Sequence, residues 1–157
     1  MDKTRDFLTT EKSFSAKWNI YNENYHAKEW FEYQKNWFLE RFGWKTLHNF
    51  YSFLKTKQRI LDAGTGIGNS AKLFSGNRNA NVFAIDASQS IEFAYKKYGS
   101  VPNIHFMQAD LRNLPFKENF FDFICSDQVL HHTDNTEKSF KYLIKFLQKR
   151  GMISIYV

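Results

Sequence analysis

The rhythm of apolar and polar positions changes once along this chain, close to residue 58. From Arg59 onward, short apolar runs alternate with amphipathic stretches, the pattern of repeated βαβ units around a mainly parallel sheet. It predicts five strands: Arg59 to Ala63, Asn81 to Ile85, Ile104 to Gln108, Phe121 to Ser126 and Met152 to Val157. Helices are expected near Asn69 to Phe74, Gln89 to Tyr98 and Asn135 to Gln148. The last is the best marked. Asp134 and Glu137 have capping-box spacing, and Phe140, Leu143, Ile144 and Leu147 form a stripe at i, i+3, i+4 and i+7.

Upstream of Arg59 the period is helical. In Lys28 to Phe42, Trp30, Tyr33, Trp37 and Phe38 recur on one face, and Gly43 follows as a C-terminal cap. A second helix is expected from Trp44 to Lys55, with Leu47, Phe50, Tyr51 and Leu54 on one side. No Pro/Gly/Ser-rich linker, repeat or low-complexity segment separates the halves. Residues 1–58 are therefore expected as a helical extension of a core formed by residues 59–157. The fold class this implies is α/β, a Rossmann-like, doubly wound, mainly parallel sheet.

Length and composition narrow the function classes. A chain of 157 residues is the size of one ordinary domain, and 43% hydrophobic with 24% charged residues is a globular balance. The formal net charge of +6 comes from Lys and Arg scattered among acids, so no basic patch argues for a nucleic-acid partner. The only cysteine, Cys125, lies in an apolar run and excludes a disulfide framework. With no signal-like N-terminus and no apolar run of membrane-spanning length, a cytosolic protein without a membrane partner is expected.

The candidate chemistry begins at residues 59–69, Arg-Ile-Leu-Asp-Ala-Gly-Thr-Gly-Ile-Gly-Asn, a hydrophobic strand running into a glycine-rich turn and then a helix. Gly64, Gly66 and Gly68 let the backbone turn sharply and approach a ligand closely. The spacing is G-x-G-x-G. A dinucleotide fingerprint needs its third glycine or an alanine at Asn69, and no Lys-Ser or Lys-Thr follows as in a phosphate-cradling P-loop. A nicotinamide-dependent oxidoreductase thus keeps the fold but fits the glycines poorly. Asp86 ends the second strand about 20 residues after the glycines, where ribose-binding carboxylates occur.

These residues resemble the first motif of the class I S-adenosylmethionine-dependent methyltransferases, an acid followed by G-x-G-x-G at the end of strand one, which Asp62, Gly64, Gly66 and Gly68 match. Later stations extend the resemblance to the C-terminus. Val-Phe-Ala-Ile-Asp-Ala-Ser (82–88), Met-Gln-Ala-Asp-Leu (107–111) and Leu-Pro-Phe with the following Asn-Phe-Phe-Asp-Phe-Ile-Cys-Ser-Asp-Gln-Val-Leu-His-His are similar to the small-molecule, ubiquinone and menaquinone methyltransferase-like group.

The resemblance implies S-adenosylmethionine as cofactor, S-adenosylhomocysteine as product, and a small-molecule or glycan-precursor methyl acceptor. It puts Asp86 on the ribose hydroxyls, Ile91 against the adenine face and Asp110 on the adenine amino group. Ser126, Asp127 and Gln128 would face the methionine part, with Thr65, Ala87, Ala109 and Leu111 completing the cofactor set. His131 is the candidate base beside His132, against the alternative that both merely pack. No metal is expected, because adjacent histidines diverge and no ligand set with zinc spacing accompanies them. Trp18, Tyr21 and Tyr25 are the candidate substrate lid, with Trp30 and Trp37 as further aromatic cover.

One departure stands out. Similar methyltransferases continue past strand five with a helix and two antiparallel strands, giving order 3-2-1-4-5-7-6, whereas this chain stops at Val157. Lys149 and Arg150 also stand where a Pro-Gly is usual. The expected order is 3-2-1-4-5, with an open strand-five edge that either marks a fragment of a longer protein, the favoured explanation, or is covered by a second subunit. A truncated cofactor-binding module without turnover is the alternative to an enzyme.

Overall fold

The computed structural model describes residues 27–157. Their elements in chain order are α1 (Ala27–Arg41), α2 (Leu47–Leu54), β1 (Arg59–Ala63), α3 (Asn69–Phe74), β2 (Asn81–Asp86), α4 (Ser90–Tyr98), β3 (Ile104–Gln108), β4 (Phe121–Asp127), a 3-10 turn (Leu130–His132), α5 (Thr136–Leu143), a second 3-10 turn (Ile144–Phe146) and β5 (Leu147–Tyr156).

All pairings are parallel, and the strand order is β3-β2-β1-β4-β5. The central strands are buried on both faces, as their near-continuous apolar sequences require. Two cores follow from the alternation of side chains. Ile60, Phe123 and Cys125 point to one face, where they meet Phe38, Phe50, Leu54 and Phe74 from α1 to α3. Leu61, Ala63 and Ile124 point to the other, under Leu130, Leu143 and Phe146. Phe74 and Phe123 meet edge-on at 5.7 Å, and Phe50 approaches Phe74 at 5.9 Å, within the range aromatic pairs favour.

The first turn among the described residues is built as its glycine predicts. Gly43 has φ of 70°, Trp44 N–H donates to Leu39 O at 2.8 Å and Gly43 N–H to Glu40 O at 3.1 Å, which is the two-bond pattern of a Schellman cap. Helix α2 begins at Leu47 rather than Trp44 because Thr46 caps it, its side chain accepting from Asn49 N–H at 3.1 Å.

Helix α1 does not bury the face expected from Trp30, Tyr33, Trp37 and Phe38. Phe38 is 2% exposed in the core, but Tyr33 is 57% exposed and stacks on Trp30 at 5.5 Å. The predicted helix from Asn135 to Gln148 is also shorter. It ends at Leu143, because Leu143 and Phe146 enter the core while Phe140 and Ile144 face outward, and Leu147 is already paired with Phe121. Its cap is Asn135, which accepts from Lys138 N–H at 2.8 Å, and not Asp134, whose carboxylate is taken by Arg112 at 2.7 Å. Strand β5 correspondingly begins at Leu147, with a register shift before Met152 pairs with Phe123. Among the described residues, the far edge of β5 has no partner strand.

Candidate functional site

Open α/β sheets bind ligands at the carboxyl ends of their strands, beside the point where strand order reverses. Here that point lies between β1 and β4, and a cavity of about 420 Å³ opens above it. Its floor is the β1 turn. Gly64 and Thr65 both donate their N–H to Ile85 O at 2.8 Å, so the chain folds back over the end of β2. Gly64 has φ of 87°, and a Cβ there would come within 2.6 Å of Val129 Cγ1. Only glycine satisfies both the angle and the close approach.

Asp86, at the end of β2, locks this turn. Its Oδ2 accepts from Gly66 N–H at 2.8 Å, and its Oδ1 accepts from Ser88 N–H at 2.9 Å and Ser88 Oγ at 2.6 Å. A carboxylate has about four acceptor positions, so most of this one is committed to holding the loop. Beyond β3, Asp110 is gripped by Arg112, with Nε at 3.0 and 2.9 Å from its two oxygens and Nη2 at 2.6 Å. Partial burial pushes the Asp110 carboxyl up, and the Arg112 hydrogen bonds and charge outweigh this and hold it below the usual range.

Asp62 is the electrostatic outlier. It is 2% exposed, on the same ladder position as Cys125, and its Oδ2 accepts from Thr65 Oγ1 at 2.6 Å. Burial raises its pKa to about 7; the Thr65 hydrogen bond opposes the shift, and the charges of Asp127 and Asp86 add to it. Asp127, at the end of β4, is raised by burial against the lowering charge of Arg41. Ligand cations are favoured in such a site, because they relieve carboxylates that are costly to ionise alone.

The cavity brings together Asp62, Gly64, Thr65, Gly66, Asp86, Ala87, Asp110, Leu111, Asp127 and Gln128 of the set expected from sequence. Gly68, Ile91, Ala109 and Ser126 do not line it. Gly68 turns the chain into α3 at φ of 83° with Ala94 Cβ 3.0 Å from the position of a Cβ, Ile91 is buried on α4, and Ser126 is fully buried on β4. Of the histidine pair, His132 lines the cavity and His131 does not, although their rings lie 3.9 Å apart. Gln128 adopts φ of 58°, a strained value for a side-chain-bearing residue, at the rim. Trp18, Tyr21 and Tyr25 lie outside the described residues.

The far wall is α1, which supplies Trp30, Gln34, Trp37 and Arg41. Two polar contacts fasten it over the strand ends: Asn69 Nδ2 donates to Gln34 Oε1, and Arg41 Nη2 donates to Asp127 Oδ2 at 2.5 Å. Sequence reasoning missed Gln34 and Arg41. The signal was their spacing, since Trp30, Gln34, Trp37 and Arg41 fall at i, i+4, i+7 and i+11 on one helix face. Trp37, expected as further aromatic cover, is 38% exposed and belongs to this wall.

A 3-2-1-4-5 parallel sheet with a glycine turn after β1 and acids beyond β2 and β3 defines a domain with the class I methyltransferase architecture. A family model described as a methyltransferase domain matches residues 61–155, and the chain belongs to that family. Its members use S-adenosylmethionine and yield S-adenosylhomocysteine.

Among similar proteins, the ubiquinone/menaquinone biosynthesis C-methyltransferase UbiE of Vibrio cholerae is 28% identical over 118 residues, covering 71% of this chain and 45% of the relative. The solved structure of YcgJ from Bacillus subtilis superposes with a TM-score of 0.59 at 26% identity, covering 70% of this chain and 50% of that one. Haemonchus contortus phosphoethanolamine N-methyltransferase 2, solved with phosphomonomethylethanolamine and S-adenosylhomocysteine, gives 0.58 at 26% identity over 62% of this chain and 24% of that one. The chain spans about half the length, or less, of these relatives. No helix among the described residues is long and apolar enough to cross a membrane.

Proposed function

We propose that this domain transfers the methyl group of S-adenosylmethionine to a small-molecule acceptor. The observation that carries the reading is the meeting, in one cavity, of the β1 glycine turn with Asp62, Asp86 and Asp110 from three different strand ends. In it, Asp86 holds the ribose with the acceptor capacity left beside Gly66 and Ser88, and Asp110 takes the adenine amino group. Asp62 and Asp127 supply negative charge to the cationic methionine end.

The sulfonium methyl needs no further activation. Bound there, the cofactor would supply a methyl group to a lone pair of the acceptor, the carbon–sulfur bond breaking with its electrons left on sulfur. The protein's task is to hold the acceptor in line at near-attack distance, where positioning contributes most of the acceleration. Where the acceptor atom is a hydroxyl, His132 takes its proton, since it is the histidine of the pair that faces the cavity. Loss of the positive charge on transfer weakens the hold of the acidic wall on the product. A cytoplasmic setting is part of the same proposal, supported by a lone buried cysteine that needs no oxidising compartment.

Calorimetric titration with S-adenosylmethionine and S-adenosylhomocysteine tests the cofactor reading, with saturable one-to-one binding expected. Well-folded protein that gives no saturable heat with either compound would falsify it. Multiple turnovers on any acceptor then separate an enzyme from a binding module.

A further inference from the structure

Arg112 addresses every acceptor position of Asp110. The Oδ1 atom of Asp110 accepts from Arg112 N–H at 2.8 Å and from its Nε at 3.0 Å, and Oδ2 accepts from Nε at 2.9 Å and Nη2 at 2.6 Å. A carboxylate offers about four such positions. Both residues line the cavity. A nucleobase amino group therefore cannot reach this carboxylate without displacing one of the donors already on it.

The guanidinium has a second anchor. Its Nη1, on the edge turned away from Asp110, donates to Asp134 Oδ2 at 2.7 Å. The side chains of Asp110, Arg112 and Asp134 are 35%, 40% and 46% exposed, and ion pairs this open to water are held weakly. No helix cap depends on Asp134, since Asn135 serves α5. If the guanidinium swings away, the backbone N–H of Arg112 still holds Oδ1, so the carboxylate stays in place with its remaining positions open.

We infer that Arg112 is a built-in competitor of the adenine amino group for Asp110, drawn off to Asp134 when the base enters. The inference rests on the cofactor reading above. It makes Arg112 a latch on the adenine end of the cavity, and it gives Asp134 a share in cofactor affinity although Asp134 is not among the residues lining that cavity. A residue that only supported the wall would weaken binding on removal. A competitor strengthens it.

The experiment is calorimetric titration of wild type, Arg112→Met, Asp134→Ala and the double variant with S-adenosylhomocysteine and with S-ribosylhomocysteine, which lacks the adenine. Both compounds carry no net charge at neutral pH, so a mere change in the charge of the cavity acts alike on the two. Arg112→Gln serves as a second variant should Arg112→Met melt early, and thermal melting reports that.

The expected result is a gain of about three- to five-fold in S-adenosylhomocysteine affinity in Arg112→Met, the range for loss of one partly exposed ion pair. S-ribosylhomocysteine binding is unchanged. Asp134→Ala is expected to weaken S-adenosylhomocysteine by about two- to five-fold, because the displaced guanidinium loses its anchor, and the double variant to bind as Arg112→Met does. Folded Arg112→Met that binds S-adenosylhomocysteine as wild type does, or more weakly, overturns the latch and leaves the cofactor reading standing. Equal strengthening of both compounds, or a double variant weaker than Arg112→Met, also overturns it. Binding of S-adenosylhomocysteine by Arg112→Met but not by wild type supports both readings, and binding by none of the four proteins ends both.

Discussion

The backbone N–H of Gly66 donates to the carboxylate of Asp86 at 2.8 Å, so the end of β2 holds the turn that follows β1. Asp86 is thus a structural latch as well as the proposed ribose acceptor. Asp86→Asn keeps an acceptor oxygen for Gly66 but loses charge. It is expected to raise the cofactor Kd about ten-fold with kcat at saturation little changed, the loss of one charged hydrogen bond. Asp86→Ala is expected to lower stability as well, by about 1–3 kcal/mol, through the unmet Gly66 donor. Denaturant melts beside binding isotherms separate the two roles. An alanine variant as stable as wild type would rule out the latch.

Asp62 fixes a pH dependence whose sign follows from its burial. Its folded pKa of about 7 stands above the ordinary aspartate value of 3.8. Between those values the folded state keeps a proton that the unfolded chain has lost, so this group makes stability fall as pH rises through that window and level off above it. Asp127 acts in the same sense and Asp110 in the opposite one. Asp62→Asn is expected to flatten the slope and to gain stability relative to wild type above neutral pH. A cationic ligand favours the ionised form, so cofactor affinity is expected to rise with pH up to neutrality in wild type and not in the variant. Parallel stability curves for the two proteins would show that Asp62 does not titrate as described.

Gly64→Ala places a methyl group against Val129 at a backbone angle that side chains rarely adopt. Loss of about 1–3 kcal/mol of stability is expected, together with loss of cofactor binding. Gly64→Ala with Val129→Ala relieves the clash but not the angle, so recovery is expected to be partial. Full recovery in the double variant would mean that the collision alone, and not the φ of 87°, demands glycine.

Phe74 is fully buried between Phe50 and Phe123, where α2, α3 and β4 converge behind the cavity. Phe74→Ala is expected to cost about 3–5 kcal/mol, the range for deleting a buried ring. Chemical denaturation gives the value directly. A cost below about 1 kcal/mol would show that the face collapses around the gap.

Much of the fold was legible along the chain because strands and turns in a βαβ protein are local decisions. Arg59–Ala63 and Ile104–Gln108 appear with the bounds their apolar runs predict, and the glycines at 64, 66 and 68 all take positive φ. The strand order and the S-adenosylmethionine-using family were legible through the resemblance that the motif acids and glycines carry to known methyltransferases.

What tertiary structure alone decided is which polar groups face one another. Nothing local tells Asp134 to serve Arg112 and leave the cap to Asn135, or ends α5 at Leu143 rather than Gln148. Equally, Arg41 meets Asp127 across 86 positions only because α1 crosses the ends of the strands. Hydrophobic periodicity encodes how each segment lies on a core, while the pairing of distant charges depends on where packing finally sets the segments against each other.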